Sequence, residues 1–311
     1  MTTWMLRFCT LLAMATMALS TSAHDNPGDV VHALTHRIET DGPTARILAA
    51  RAFEYTFLRQ WDQAVSDFDA ALELQPSYGV ALTGLAQALS HQENFSRAEA
   101  VAKRGLELDI DPARQAPFWA ALAEIHTVQA DWSPALYAWR QALKSPRPEV
   151  DWYLSEADCL AHLDRYTERV SALAEATTRN PSVVLHRSWI RALVDAGALD
   201  DASREIELGL AGARWKSSWL LLRARVHAQR QERAQQESDA EAALAEIRQR
   251  WNPKQSDQDP ILVADAGLAF ALLGQDTVAR ELMDKARAQG VSESHLTDLE
   301  QLIGEASLAT P

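Results

Sequence analysis

Histidines, acidic pairs and cysteines are the residues of this sequence whose types and spacing could support chemistry. His32 and His36 stand four apart on a predicted helix, so both imidazoles could face one metal ion. Two imidazoles on an exposed helix are more often solvated surface than half of a metal site. We therefore predict no metal site and no cofactor.

The remaining reactive residue types do not form a catalytic pattern. Adjacent or near-adjacent acids such as Asp67 with Asp69 are typical of solvated faces and turn caps. Cys159 lies in the stretch EADCLAHL, which indicates a buried cysteine in a helix rather than a reactive thiol. The sequence lacks a glycine-rich phosphate loop, a paired CxxC, an HExxH and a GxSxG. Four further histidines recur in predicted first helices with differing helical phases, so they do not converge on one ion: His126, His162, His186 and His227. We predict no catalytic residues and no enzymatic activity.

Residues 1–23 resemble a secretory leader. Arg7 precedes an apolar run from Phe8 to Leu19, and small residues follow up to Ala23. The run is shorter than the roughly 20 residues of a spanning helix, which favours cleavage after Ala23 over an uncleaved anchor. We expect a periplasmic or secreted protein without membrane insertion after cleavage.

The composition of the chain limits the classes of partner that it is expected to bind. The 311 residues are 47% hydrophobic, which is enough for a sizeable core, and the formal net charge is −13. Basic residues never form a run longer than two, so nucleic acid is not an expected partner. Only Cys159 remains once the leader is removed, so the mature chain cannot form an internal disulfide.

Prolines and apolar residues repeat along the chain at nearly regular intervals. Prolines at 43, 76, 112, 146, 148 and 181 bound intervals in which apolar residues follow helical spacing. The stretches WDQAVSDFDAALELQPS and WSPALYAWRQALKSPRP, which begin at Trp61 and Trp132, spell nearly the same pattern. Each interval predicts two helices with a break near its middle, and the fold is predicted to be all helical.

This pattern resembles the tetratricopeptide repeat family, whose unit is a helix-turn-helix of about 34 residues with small residues at fixed places. In the first repeat Ala64, Phe68, Ala71 and Pro76 occupy the signature places of the second helix. The resemblance implies an α-solenoid, a right-handed superhelix of about seven repeats. We expect a leader at 1–23, a capping helix and linker at 24–43, the solenoid at 44–290, and a capping helix and tail at 291–311.

Two repeats depart from the family pattern. Arg169 stands where the fourth repeat should have a small residue, so that helix pair is expected to splay slightly. The sixth repeat, Trp215 to Trp251, fits only with one or two residues inserted near its turn. The polar segment Asn252 to Pro260 is expected to be a surface loop.

The resemblance implies that the first helices line a concave groove that binds a protein or an extended peptide. Helical phase selects one set of lining residues, which changes from apolar through acidic to basic: Ala49, Phe53, Phe57, Thr83, Gln87, Glu124, Asp151, Leu154, Asp158, Arg187 and Arg191. We expect a non-catalytic interaction scaffold, with cell-envelope assembly or protein maturation as settings. The alternative is an all-helical toroid that binds or cleaves carbohydrate. The oligomeric state stays open.

Overall fold

The chain folds as a succession of antiparallel helices. The computed structural model describes residues 27–108, 112–251, 259–291, 296, 299–300 and 302–304, and none of these residues forms a β-strand. The helices are α1 Pro27–Asp41, α2 Ala45–Phe57, α3 Trp61–Leu74, α4 Gly79–His91, α5 Phe95–Glu107, α6 Pro112–Val128, α7 Trp132–Ala142, α8 Val150–His162, α9 Tyr166–Arg179, α10 Val183–Asp195, α11 Leu199–Gly212, α12 Ser217–Gln229, α13 Arg233–Arg250, α14 Pro260–Leu272 and α15 Asp276–Ala288. The predicted all-α solenoid of helix pairs is confirmed.

The chain divides into two compact units, with the boundary between Arg165 and Tyr166. We call the described parts the N-terminal unit (residues 27–165) and the C-terminal unit (residues 166–304). The boundary falls in the turn between α8 and α9, inside the fourth predicted repeat. This is the repeat in which Arg169, on α9, replaces the expected small residue. In each unit every helix packs against the next one along the chain.

The turn between the two helices of a repeat has one geometry throughout. The residue two places before each second helix has a positive φ, between 56° and 74°. The following residue donates its backbone N–H five residues back, as from Gln60 to Tyr55 at 2.9 Å and from Glu232 to His227 at 2.8 Å. This left-handed ending satisfies the last carbonyls of the first helix. The left-handed residues are Arg59, Glu93, Ala130, Asp164, Gly197, Gln231 and Gly274.

Small residues stand where the helices cross. The fourth residue of the second helix is a fully buried alanine in five repeats: Ala64, Ala98, Ala135, Ala202 and Ala279. Alanine there permits the close interaxial distance that larger side chains would prevent.

The expected insertion near the turn of the sixth repeat is wrong. Its turn contains Gln231 in the same left-handed conformation as in the other repeats. The match was poor because Gln236 replaces the small residue and donates to the Leu272 carbonyl at 2.6 Å. The additional length lies at the far end of α13, which continues to Arg250.

Stacked rings explain why the chain repeats the same pattern at Trp61 and Trp132. Trp61 begins α3 and stacks on His91 at the end of α4, with ring centroids 4.3 Å apart and planes at 16°. Trp132 begins α7 and stacks on His162 at the end of α8, at 3.7 Å and 8°. Each tryptophan therefore attaches a second helix to the first helix of the next repeat.

The predictions for the two ends of the chain are largely untested by the described residues. Residues 1–23, which carry the expected leader, lie outside the described residues, as does most of the segment 252–260. Near the carboxyl terminus Leu296, Leu299 and Ile303 are buried, and they pack with α14 and α15. Of the helices that the structure describes, none is long and apolar enough to cross a bilayer.

Candidate protein-binding surface

The first helices of the repeats form the inner face of each unit. In the N-terminal unit α2 contacts α4 and α4 contacts α6, and in the C-terminal unit α10 contacts α12 and α12 contacts α14. Contacts between successive second helices are sparse among the described residues. A stack of repeats curves toward the side on which its helices lie closer together. The first-helix side of each unit is therefore its inner face.

A row of partly exposed side chains follows the inner face of the N-terminal unit. Phe53, Gln87, Glu124 and Asp158 occupy corresponding places in α2, α4, α6 and α8. Buried alanines of the same helices stand beside them, as Ala52 does beside Phe53. The structure therefore leaves one predicted lining residue per repeat partly open to solvent.

The row begins with aromatic side chains. Phe53 packs edge-on against the buried Phe68, with ring centroids 5.0 Å apart. A Cβ at Gly84 would lie 2.3 Å from Phe68 and 3.0 Å from Phe53, so only glycine lets both rings approach α4. Phe57, one turn further along α2, is also partly exposed. This end of the inner face therefore offers apolar surface.

The centre of the row holds a carboxyl group with an unusual pKa. Burial raises the pKa of Glu124 to about 8, and the negative charge of Glu149 adds to this effect. A hydrogen bond from the Gln87 amide lowers the pKa, but it does not offset the burial. Glu124 is therefore largely protonated at pH 7, and it can donate a hydrogen bond as well as accept one.

Two of the predicted lining residues are not accessible. Ala49 is 1% exposed, and Thr83 is 5% exposed with its hydroxyl donating to the Gly79 carbonyl at 3.1 Å. They lie one turn before Phe53 and Gln87, where neighbouring first helices pack closely. These two positions therefore belong to the helix packing and offer a ligand almost no surface.

The acidic end of the row lies on α8. Asp151, Leu154 and Asp158 are partly exposed. Cys159 beside them is fully buried, and burial together with the charge of Asp158 raises the pKa of its thiol to about 12. The thiol is thus protonated and inert at neutral pH, as its sequence context predicts.

The inner face of the C-terminal unit carries arginines. Arg187 and Arg191 lie one turn apart on α10, and both are partly exposed. The Arg187 guanidinium lies 4.0 Å from the Asp265 carboxylate on α14. Ser218 on the intervening α12 donates to the same carboxylate at 2.6 Å. Three successive first helices thus contribute to one polar cluster.

The histidines are held separately. His186 contacts Glu205 at 3.0 Å, His227 contacts Glu232 at 2.5 Å, and His162 stacks on Trp132. His32 and His36 are exposed on α1. Within the described parts of the chain, no group of three or more histidine, cysteine or acidic side chains could hold a metal ion.

Sequence reasoning missed Asp265 and Ser218. Asp265 is the only charged residue of α14, whose sequence is PILVADAGLAFAL. A carboxylate in so apolar a helix needs a partner, because burying an unpaired charge is costly. That signal could have identified Asp265 as part of a polar site, although it could not have named Arg187 or Ser218.

The comparisons with known proteins agree with the geometry. The tetratricopeptide repeat family model matches residues 58–125. This chain is similar to the crystal structure of a tetratricopeptide repeat protein from Parabacteroides merdae ATCC 43184. The match spans 83% of this chain and 98% of that protein's chain, with a TM-score of 0.57 and 15% sequence identity. The general transcriptional corepressor ssn6 of Schizosaccharomyces pombe is 31% identical over 144 residues, which is 45% of this chain but 12% of the corepressor.

The fold defines the class of protein: a helical-repeat protein of the α-solenoid type. Residues 58–125 match the tetratricopeptide repeat model, so that part of the chain is similar to tetratricopeptide repeats. That fold is in general a scaffold for interactions between proteins. The similarity to the solved structure establishes the fold alone, and the corepressor match spans too little of that protein to carry its activity over.

Proposed function

We propose that the protein is a non-catalytic scaffold that binds a partner protein, or an extended segment of one, along the inner face of its N-terminal unit. The observation that carries the proposal is the row formed by Phe53, Gln87, Glu124 and Asp158. Each side chain comes from a successive first helix, so the four recur at nearly equal steps along the sequence. Such regular spacing suits an extended chain that contacts one repeat after another.

The chemistry of the row indicates what the partner offers. Apolar side chains of the partner would pack on Phe53 and Phe57, where ring surface is exposed. A basic side chain would pair with Asp151 or Asp158. Glu124 is largely neutral at pH 7, so it is suited to a polar backbone or amide group at the centre. A segment of mixed character therefore fits better than a uniform polyanion.

We also propose that the scaffold works outside the cytoplasm, in the assembly of the cell envelope or the maturation of exported proteins. This proposal rests on the leader-like residues 1–23. Amino-terminal sequencing of the protein purified from an envelope fraction tests it. A mature chain that begins at His24 is expected, and a full-length chain recovered only from the cytoplasm would contradict it.

The binding proposal is tested by reversing charge on the inner face. Asp151→Lys with Asp158→Lys should reduce capture of partner proteins from an envelope extract, measured by crosslinking and quantitative mass spectrometry. The matched control is Glu73→Lys with Glu107→Lys, which makes the same change of charge at exposed positions on second helices. Melting temperatures of both variants report on folding.

A partner retained by the control variant and lost by the inner-face variant supports the proposal. Equal capture by both variants would refute the assignment of this face. Binding of oligosaccharides in place of proteins, measured by calorimetry on the same purified chain, would instead favour the alternative carbohydrate-binding function.

A further inference from the structure

The charge of Arg187, in the C-terminal unit, is poorly compensated by its carboxylate neighbour. Its closest carboxylate contact is the one to Asp265, at 4.0 Å. That distance is too long for a hydrogen bond. The Nε of Arg187 is buried and has no hydrogen-bond partner among the described residues. The side chain is 24% exposed, so a ligand can still reach the guanidinium.

Two ion pairs that link helices of the same protein have a different geometry. Arg223 contacts Asp239 through two hydrogen bonds of 2.8 Å each. Arg51 contacts Asp67 in the same two-pronged way, at 2.6 and 2.8 Å. In these two pairs the guanidinium binds the carboxylate through two nitrogens. The single long contact of Arg187 indicates a different role.

Burial and two neighbouring charges act on Arg187 in opposite directions. Burial lowers the pKa of Arg187 most, the carboxylate of Asp265 raises it, and the positive charge of Arg191 lowers it by a smaller amount. An anion that reaches Arg187 would gain from a guanidinium whose carboxylate contact to Asp265 is as long as 4.0 Å. Asp265 cannot engage this guanidinium fully, because Ser218 holds its carboxylate at 2.6 Å.

We propose that Arg187 is the anchor of a binding site for a carboxylate of an acidic protein segment, and that Asp265 occupies part of that site when no partner is bound. The proposal refines the scaffold function given above and rests on it, because it assigns a second contact surface with its own ligand chemistry. The two-pronged geometry of arginine with a carboxylate suits a glutamate or aspartate side chain of the partner.

The negative net charge of the whole chain has only a small effect on binding at this site, because most of it is screened. The protein carries a formal net charge of −13, which by itself disfavours an acidic ligand. At physiological ionic strength, exposed charges more than about 8 Å away are largely screened. The arginines that contact the ligand therefore decide its binding, and the affinity should fall as salt is added.

The test uses a fluorescein-labelled peptide with consecutive central glutamates and a matched peptide with glutamines in their place, on the full mature chain by fluorescence anisotropy. Arg187→Gln should weaken binding of the glutamate peptide about tenfold or more. Asp265→Asn removes the competing charge and leaves an acceptor for Ser218, so it should strengthen binding about tenfold. The matched control is Arg204→Gln, because Arg204 lies on α11 with 72% of its side chain exposed.

Opposite effects of the Arg187 and Asp265 variants, with no effect at Arg204, support the site. Equal binding of the glutamate and glutamine peptides would overturn it, as would equal losses at Arg187 and Arg204 or no gain at Asp265. Tighter binding of a phosphoserine peptide would overturn the choice of a carboxylate. If the acidic peptide binds as expected but the Asp151 and Asp158 variant captures partners normally, the N-terminal binding proposal fails and this site stands.

Discussion

The two units of the protein use one helical frame but carry opposite charges on their inner faces. In the N-terminal unit the row ends in carboxyl groups, and burial raises the pKa of Glu124 to about 8. In the C-terminal unit corresponding places hold Arg187 and Arg191, and burial lowers the pKa of Arg187. In both units the inner face disfavours the charged form of its own side chains. The frame fixes where a lining side chain stands, and the residue type decides which ligand it suits.

Each unit contains an arginine–aspartate pair at the same place in a repeat. The contribution of this pair to the free energy of unfolding can therefore be compared between the units. Arg51 with Asp67, and Arg223 with Asp239, have the same separation in sequence, and each pair links the first helix of a repeat to its second. Their surroundings differ. Arg51 donates additionally to the Thr35 hydroxyl on α1 at 3.0 Å, whereas Arg223 contacts a second carboxylate, Glu207, at 2.9 Å.

The largest expected effect comes from removing the aspartate of these pairs. Asp67→Ala leaves Arg51, whose side chain is 17% exposed, without a carboxylate partner in these contacts, and should lower the free energy of unfolding by about 3 kcal/mol. Asp239→Ala should cost about 1–2 kcal/mol, because Arg223 is 31% exposed and keeps Glu207. Urea unfolding at neutral pH measures both values.

The double variant Asp239→Ala with Glu207→Ala sharpens the test. It should bring the cost in the C-terminal unit close to that of Asp67→Ala, because Arg223 then loses both carboxylates. If Asp239→Ala alone costs as much as Asp67→Ala, the second carboxylate of Arg223 contributes nothing and the explanation is wrong.

The next effect depends on pH and concerns the N-terminal unit. The folded-state pKa of Glu124, about 8, lies above its ordinary value of 4.5, so between these values the folded state binds more protons than the unfolded state. The contribution of Glu124 to stability is thus full below about pH 4.5 and is lost as the pH rises toward 8. The shift alone corresponds to about 5 kcal/mol, and the solvent access of the partly exposed Glu124 reduces this to about 2 kcal/mol. Glu124→Gln removes this loss, so at pH 8.5 it should be more stable than wild type by about 2 kcal/mol, with little difference at pH 4.5.

Urea unfolding at the two pH values measures this difference. Glu107→Gln, at an exposed site on α5, is the control and should change stability little at either pH. A gain of equal size at both pH values would mean that Glu124 is not held in its protonated form, and the contrast between the two inner faces would lose its basis on the acidic side.

The sequence predicted the helical frame well, because the frame depends on local and periodic features. Alanine at the crossing, as at Ala64 and Ala135, is visible in the sequence, and so is the proline period. The lining was predicted less well. Phe53, Gln87, Glu124 and Asp158 are partly exposed as a lining requires, whereas Ala49 and Thr83 are buried because the approach of adjacent first helices depends on their real packing.

Contacts across several repeats were beyond sequence reasoning. Ser218 and Asp265 are far apart in sequence, and a bond between them requires the actual curvature of the C-terminal unit. The same holds for Gln236, which made the sixth repeat appear irregular although its turn is standard. A periodic pattern gives the register of each helix but not the distance between two helices.

The smallest expected effect concerns the left-handed turns, which both units share. A non-glycine residue in this conformation costs roughly 1–2 kcal/mol, whereas introducing glycine costs about 0.4–1 kcal/mol through the unfolded chain. Strain relief exceeds the entropy loss, so Ala130→Gly, where φ is 58°, should stabilise the N-terminal unit by about 0.5–1 kcal/mol. Gln231→Gly, at 60°, should do the same for the C-terminal unit. Urea unfolding of each variant measures the gain.

Gly197→Ala is the reverse change at the same place in the fifth repeat, where φ is 74°. It should destabilise the protein by about 1 kcal/mol, and because nothing lies within 4 Å of its added Cβ, the cost reports on the backbone alone. Gains at Ala130 and Gln231 of similar size, together with this loss, would mean that the turns are energetically equivalent in both units. The difference between the units would then lie in their side chains. A gain in one unit without a gain in the other would show that the shared geometry conceals unequal strain, and the assumption of one common frame would fail.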